Sequence, residues 1–357
     1  MKGLVRYLPE LEREIFVFQR AAYPHRDPSL VEPRWKWMFI EPARRLGLDP
    51  LVWMYRRKDE IVAHQGAIGV EFQLDGKKFT TGWFVETMAL ESVRGKAIGP
   101  MVIQKALEDL PFNLSLGQTE TMRNVQFALG WEQVAPLRTY VLPLRPVRVL
   151  KGKMNNLATR FAAAQMLSWR QRMKRWTYQR AQAGVTHRMV ERFGAEHDSL
   201  WRRLANEFRC CVVRDAEFLN WKFVDQPGVD TLRFEVLRGN TPEAAFVFTI
   251  REPDNDYRYR RAVVLDLLAP PGDRSVLRAV FDAMRSECVK RDVDLVSFDI
   301  LHAGLEAEVI RYGFIPREAE RVLLLSTRTL ADSEKEVIMN PGHWLLTRAD
   351  SDIDRPW

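Results

Sequence analysis

Residues 85–107 read VETMALESVRGKAIGPMVIQKAL and hold the chain's most chemically suggestive pattern. An apolar strand ends near Leu90, a loop carries Arg94, Gly95 and Lys96, and a helix begins near Ala97. Backbone N–H groups in the first turn of a helix lack intrahelical partners and lie at the positive end of the helix dipole. Small residues let an anion approach those groups closely, and Arg and Lys add charge. The loop therefore suits a pyrophosphate. The same residues also suit a plain strand–helix turn, and the two readings stay open on the loop alone. The segment is neither a GxxxxGK[ST] phosphate loop nor a GxGxxG dinucleotide fingerprint.

Other chemistries are excluded more simply. Three cysteines, of which Cys210 and Cys211 are adjacent, cannot build a disulfide framework. No CxxC and no His pair at helix spacing occurs, so no metal is expected. A reducing, cytoplasmic location is the expectation. The N-terminal MKGLVRYLPELEREIF lacks an apolar core, so no signal peptide is expected, and no apolar run is long enough to span a bilayer.

At 357 residues, with 46% hydrophobic and 28% charged, the chain suits two domains of roughly 150 residues each. Its net charge of +7 is uneven. No Asp or Glu occurs between Glu132 and Glu191, a stretch with twelve Lys and Arg, so the remainder sums to minus five. The basic character belongs to one segment.

An internal repeat sets the architecture. WKWMFIEP at 35–42 is answered by WKFVDQP at 221–227, and LGW at 129–131 by YGF at 312–314. Gly130 follows Trp35 by 95 residues and Gly313 follows Trp221 by 92. Two anchors in the same order at nearly equal spacing point to two copies of one α/β unit. The first copy predicts a helix over 10–22, with Leu11, Ile15, Phe18 and Ala22 on one face. Strands follow at 51–57, 61–70 and 79–90, the last two joined by an Asp75-Gly76 turn. A helix at 97–109, a strand at 112–117, a helix at 121–129 and a strand at 131–142 complete the copy. The second copy predicts the same order at 232–238, 243–250, 260–268, 275–290, 294–300, 304–312 and 320–327.

These residues resemble a known family. RGKAIG at 94–99 is similar to the acetyl-CoA pyrophosphate loop of GNAT acyltransferases, written Q/R-x-x-G-x-G/A. Arg94 and Gly99 match it, and Ala97 stands where the first pattern glycine usually stands. NVQFALGW at 124–131 resembles that family's fourth helix, which ends in a Gly-aromatic pair. The WK element and the C-terminal WLLTRADSDIDRPW resemble a subgroup found in bacterial surface-polysaccharide gene neighbourhoods.

The resemblance implies an α/β fold of two tandem GNAT-like domains, each a mixed, mostly antiparallel sheet flanked by helices. Their expected extents are 1–145 for an acyl-CoA-binding domain and 191–330 for a degenerate copy. A basic helical linker at 146–190 joins them, and an acidic tail at 331–357 follows. The implied activity is transfer of an acetyl or other acyl group from acyl-CoA to a small-molecule amine, with amino sugars as the subgroup's acceptors. Arg94, Gly95, Lys96, Ala97, Ile98 and Gly99 would hold the pyrophosphate. Met88 and Leu90, on a strand that splays from its neighbour, would hold the pantetheine arm, and Asn124 would touch CoA. Glu86 lies on the strand that commonly carries the general base, and partial burial would raise its pKa. The family's usual general-acid tyrosine is replaced by Gln126, leaving Tyr140 or water for that role. An aminoacyl-tRNA-dependent transferase of the Fem type and a non-catalytic binding or scaffold protein are the alternatives. Ala97 and Gln126 favour the latter.

The corresponding loop of the second copy, LAPPGDRSVL at 268–277, differs. Pro270 and Pro271 remove backbone donors, and Asp273 and Ser275 suit a helix N-cap. This copy is expected not to bind CoA. In the basic segment, Met154, Leu157, Phe161, Ala164 and Leu167, continued by Trp169, Met173 and Trp176, form a helical apolar stripe. Three readings compete: a linker helix whose stripe packs on a domain, peripheral association of 151–182 with an anionic membrane, and binding of an anionic substrate. Nucleic acid is the least favoured partner. Asp350, Asp352 and Asp354 alternate in the tail, which reads as a solvated terminus or as a lining for the acceptor site.

Overall fold

The computed structural model describes residues 2–151, 154–178 and 184–353. The chain opens with β1 (Lys2–Arg6), α1 (Glu12–Ala22) and α2 (Pro28–Leu46). It continues through β2 (Val52–Arg57), β3 (Glu60–Leu74), β4 (Lys77–Ala89), α3 (Ile98–Asp109), β5 (Asn113–Leu116), α4 (Glu120–Ala128) and β6 (Glu132–Pro143). A short α5 (Pro146–Leu150) and a long α6 (Leu157–Thr177) follow. Next come β7 (Val185–Met189), α7 (Ala195–Leu204), β8 (Cys210–Val212), α8 (Ala216–Phe223), β9 (Leu232–Arg238), β10 (Thr241–Arg251) and β11 (Arg261–Leu268). The chain ends through α9 (Arg274–Lys290), β12 (Leu295–Leu301), α10 (Ala303–Tyr312), β13 (Ile315–Pro316), β14 (Arg321–Ser326), α11 (Asp332–Ile338) and β15 (Leu346–Thr347).

Local chemistry accounts for many of these boundaries. Asp75 and Gly76 both take positive φ, 50° and 80°, as a tight β3–β4 hairpin requires. The Asp27 carboxylate accepts from the Ser29 amide at the start of α2, and left-handed Gly47 ends that helix. Both WK segments turn out to be helical, one on α2 and the other on α8. The strand-helix-strand-helix-strand order predicted for each copy is present from β2 to β6 and again from β9 to β14.

Among the described residues, fifteen strands form one mixed, mostly antiparallel sheet flanked by helices, in the main order β1-β2-β3-β4-β5-β14-β6-β12-β11-β10-β9-β7. Parallel pairing joins β4 to β5 and β11 to β12. The order shows an exchange. β14, from late in the chain, lies between β5 and β6, and β6 in turn pairs with β12. The two halves therefore share strands and a continuous core, and neither completes its sheet alone.

The basic segment departs from the packed-stripe expectation. α6 turns Ala164 and Gln171 inward, while Leu157, Phe161, Trp169, Met173 and Trp176 are exposed. The inward contacts are polar as well as apolar: the Lys174 ammonium donates to the Ile310 carbonyl, and Arg278 donates to that of Arg175. Residues 152–153 and 179–182 of the segment lie outside the described residues. Among the described residues, no helix is long and apolar enough to cross a membrane.

Candidate active site

The parallel register between β4 and β5 runs Gly82–Asn113, Trp83–Leu114, Phe84–Ser115 and then stops. β4 continues to Ala89 while β5 ends at Leu116, so the strands part after Phe84. A bulge marks the point of parting. Gly66 on β3 faces Val85 and His64 faces Met88, which leaves Glu86 and Thr87 opposite a single residue. Glu86 takes φ +55°, an uncommon conformation for a residue with a Cβ. His64 supports it from beneath: its Nδ1–H donates to the Glu86 carbonyl at 3.0 Å, and its Nε2 accepts from the Trp35 indole at 3.4 Å. Burial holds the His64 pKa below its ordinary value, consistent with this neutral tautomer.

A cleft of about 770 Å³ opens where the strands separate. Phe84 to Ala89 form one wall, Ser115 to Thr119 the other, and the starts of α3 and α4 close the ends. Beyond Phe84, the edge of β4 away from β3 pairs with no strand among the described residues. Along this stretch the Glu86 and Ala89 carbonyls accept from His64 and Arg94, and the remaining edge groups face the cleft. At the start of α3 no side chain caps the helix. Met101 bonds back to Ala97 and Pro100 has no N–H, so Ile98 and Gly99 carry the unpaired donors of the first turn. A Cβ built on Gly95 or Gly99 would meet nothing within 4 Å, so the loop faces open space. Ala97 adopts φ +57°, the left-handed conformation that a glycine would take without strain.

The cleft brings together most of the residues singled out in sequence. Glu86, Met88, Arg94, Gly95, Ala97, Ile98 and Gly99 all line it. Four others lie elsewhere. Leu90 borders a separate hollow against α1. The Lys96 ammonium donates to the Ser92 carbonyl within its own loop. Asn124 is exposed, whereas the face of α4 that lines the cleft carries Thr121, Met122, Val125 and Gln126. Tyr140 is buried on β6, where its hydroxyl donates to Glu306 of α10; burial first and that carboxylate second push its pKa well above the usual range. Gln126 donates to the Ser115 hydroxyl at 2.9 Å across the cleft's floor.

Sequence reasoning did not find Tyr23 and Arg26, which also line the cleft. Arg26 pairs with the Glu86 carboxylate at 2.7 Å, where the Glu86 side chain is wholly covered, and its guanidinium lies over the Tyr23 ring at 3.5 Å. Sixty residues separate Arg26 from Glu86, and no local pattern links them. The acidic tail also enters. Asp352 lines the cleft and Ile353 packs at the Gly117 Cα, so this part of the tail is not a solvated terminus. Asp354 lies outside the described residues.

The second half contains the same opening, already filled. The parallel register of β11 and β12 ends at Val264–Phe298, and a bulge follows in β11 opposite Val247–Phe248. Asp266 stands two residues past the last pair, as Glu86 does past Phe84. Here β15 pairs with β12 at Ile300 and Leu301. Thr347 donates to Asp266 at 2.8 Å, while Arg214 pairs with Asp266 at 3.2 Å and with Asp350 at 2.6 Å, all of them buried. The adjacent helix is closed as well: the Asp273 carboxylate accepts from the Ser275 and Val276 amides at the start of α9.

No family model matches the chain, and no curated protein matches it in sequence. Solved structures do match. A GCN5-related N-acetyltransferase from Anabaena variabilis ATCC 29413 superposes with a TM-score of 0.63 at 10% identity, over 91% of this chain and 72% of that one. A probable N-acyltransferase from Enterococcus faecalis V583 gives 0.62 at 9% identity, over 92% and 73%. N-myristoyltransferase from Saccharomyces cerevisiae with bound myristoyl-CoA gives 0.54 at 12% identity, over 91% and 82%. At such identities the likeness establishes the fold, which is GNAT-like.

Proposed function

We propose that this chain transfers an acyl group from acyl-CoA to an amine, using the cleft between β4 and β5. One contrast carries the reading. The first opening keeps its strand edge unpaired and its helix start uncapped, while the equivalent opening in the second half is filled by β15 and capped by Asp273. On this reading the chain is a duplicated unit with one working site. The domain extents of 1–145 and 191–330 are then modified by the strand exchange.

The residues present fit acyl-CoA. The Ile98 and Gly99 amides, with Arg94 beside them, suit the diphosphate of this co-substrate. The β4 edge from Val85 to Ala89 suits an extended arm with amide groups, and Phe84, Ile103, Met122 and Val125 offer apolar surface beside it. A thioester supplies an activated carbonyl and a good leaving group. The acceptor nitrogen must first lose a proton, and Glu86 is the carboxylate placed at the parting of the strands to take it, directly or through a water. The nitrogen then attacks the carbonyl carbon, the C–N bond forms, the C–S bond breaks, and the sulfur leaves with the electron pair. Gln126 carries no acidic proton and Tyr140 donates to Glu306 away from the cleft, so a water relays to the thiolate the second proton that the nitrogen sheds on acylation. Arg26 beside Glu86 supplies positive charge near the developing oxyanion. Asp352 at the mouth adds a carboxylate toward a cationic acceptor, and amino sugars are the acceptor class the subgroup resemblance suggests.

Calorimetry with acetyl-CoA tests the central claim. Binding of one equivalent per chain is expected, and no heat of binding up to millimolar ligand would sink the proposal.

A further inference from the structure

We infer that the outward face of α6 docks this protein on an anionic lipid surface. The helix has two faces with different fates. Ala164, Gln171 and Tyr178, after its last turn, are buried against the second half, and Lys174 and Arg175 turn toward Ile310 and Arg278 on the same side. On the opposite side, Ala162, Met166, Trp169, Met173 and Trp176 recur at alternating four- and three-residue steps and make one continuous stripe. Met166 is 70% exposed, Trp169 65% and Trp176 75%, so among the described residues these bulky apolar side chains lie mostly uncovered. Among the described residues, every other tryptophan is buried. Trp35, Trp53, Trp83 and Trp344 are all fully buried, which makes the pair on α6 an exception that burial in the fold does not explain.

Charge identifies the occupant. Arg170 and Arg172 flank the stripe, one on each side, and both are exposed. No Asp or Glu occurs from residue 133 to residue 190. An acidic-free amphipathic helix with Trp along its apolar line and Arg at its edges matches the boundary between headgroups and acyl chains, where indoles sit and anionic headgroups pair with guanidinium groups. A surface meant for nucleic acid would place its cations on the contact line. Here the line itself is apolar and the cations are lateral, as insertion to shallow depth requires. The consequence is a protein held at a membrane surface through the second half, with the cleft in the first half left free for soluble co-substrate.

The test is cosedimentation of the intact protein with vesicles of 30% phosphatidylserine in phosphatidylcholine, against pure phosphatidylcholine, at 25 and 500 mM NaCl. Tryptophan quenching by brominated lipid is read in parallel. We expect pelleting with the anionic vesicles at low salt, quenching of fluorescence, and at least a tenfold loss of partitioning in W169E/W176E. R170E/R172E should lose anionic selectivity while circular dichroism stays unchanged. Sedimentation equilibrium of the free protein supplies the opposing outcome: a concentration-dependent dimer abolished by W169E/W176E would assign the face to a second copy and overturn the inference. Absence of low-salt pelleting, or pelleting indifferent to Trp169 and Trp176, would overturn it as well.

Discussion

The indoles of Trp37 and Trp221 stack with their centroids 4.9 Å apart, and each donates its N–H to the other's backbone carbonyl, at 2.8 and 2.9 Å. The contact joins α2 to α8 and is reciprocal. Arg34 extends it by donating to the Pro227 carbonyl. Trp35 does not take part. It lies in the first half's own core against His64, although the sequence repeat pairs its WK with that of Trp221.

Replacing Trp37 with Phe removes one donor and leaves the buried Trp221 carbonyl unpaired, at a cost of about 1–3 kcal/mol. Trp221→Phe should cost less, because the Trp37 carbonyl keeps the Glu41 amide within α2, and the double variant should cost less than the sum, because both bonds belong to one interface. Urea unfolding of the four proteins measures the coupling; fully additive losses would show that the two bonds act independently.

Arg94→Glu and Gly99→Glu should each weaken acetyl-CoA binding at least tenfold, because they bring negative charge to the uncapped start of α3. Asp273→Ala should leave affinity and the stoichiometry of one unchanged, while uncapping α9 at a cost of about 1 kcal/mol. Ala97→Gly should relieve the left-handed backbone and gain roughly 0.5–1 kcal/mol. Titration calorimetry and thermal melts separate these effects. A second equivalent of ligand on Asp273→Ala would refute the closed state of the second half.

Glu86→Gln keeps the shape of the cleft floor and removes its base. Turnover with an identified acceptor should fall about 10²- to 10⁴-fold with little change in KM for acyl-CoA. Arg26→Ala breaks a buried ion pair and should destabilise the fold by about 3–5 kcal/mol. Adding Glu86→Gln to Arg26→Ala should restore part of that stability. Full turnover in Glu86→Gln would remove Glu86 as the base.

Two buried histidines, His64 and His197, and the half-buried His302 give the stability a defined pH dependence. Burial lowers the pKa of His64 and His197, and that of His302 to about 4. Each binds its proton more readily when unfolded, where its pKa is about 6.5. Their contribution is therefore intact above pH 6.5 and is lost as the pH falls toward the folded values. His302 also caps α10 by accepting the Leu305 amide at Nδ1, a bond that protonation breaks. Its share should reach on the order of 3 kcal/mol by pH 4. Melting temperature should drop between pH 7 and 4, and a His302→Asn variant, which keeps a capping acceptor, should flatten the lower part of that slope.

Much of the molecule was legible from local pattern. β9 spans 232–238 as read, and the helices at 97–109 and 275–290 were placed to within a residue at each end. Periodicity, Gly turns and caps act over a few residues, so they can be read one segment at a time. The loop at 94–99 and the capped loop at 270–275 were distinguishable for the same reason: Asp273 and two prolines differ chemically from Arg94 and Gly99. The WK helices were missed, because Pro33 and Pro42 interrupt the pattern of α2.

The sequence by itself therefore determined the order of elements, the turn chemistry and the difference between two loops. Tertiary structure alone decided which opening is a cleft. β15 fills the second through Thr347, Asp266, Arg214 and Asp350, groups drawn from positions up to 136 residues apart. In the first, Arg26 meets Glu86 and Asp352 arrives from the far end of the chain. Such contacts leave no periodic trace, because they depend on where the shared sheet brings distant segments and not on what any segment prefers alone. The outward stripe of α6 follows the same logic: its periodicity announced a helix, and only packing showed which side stays uncovered.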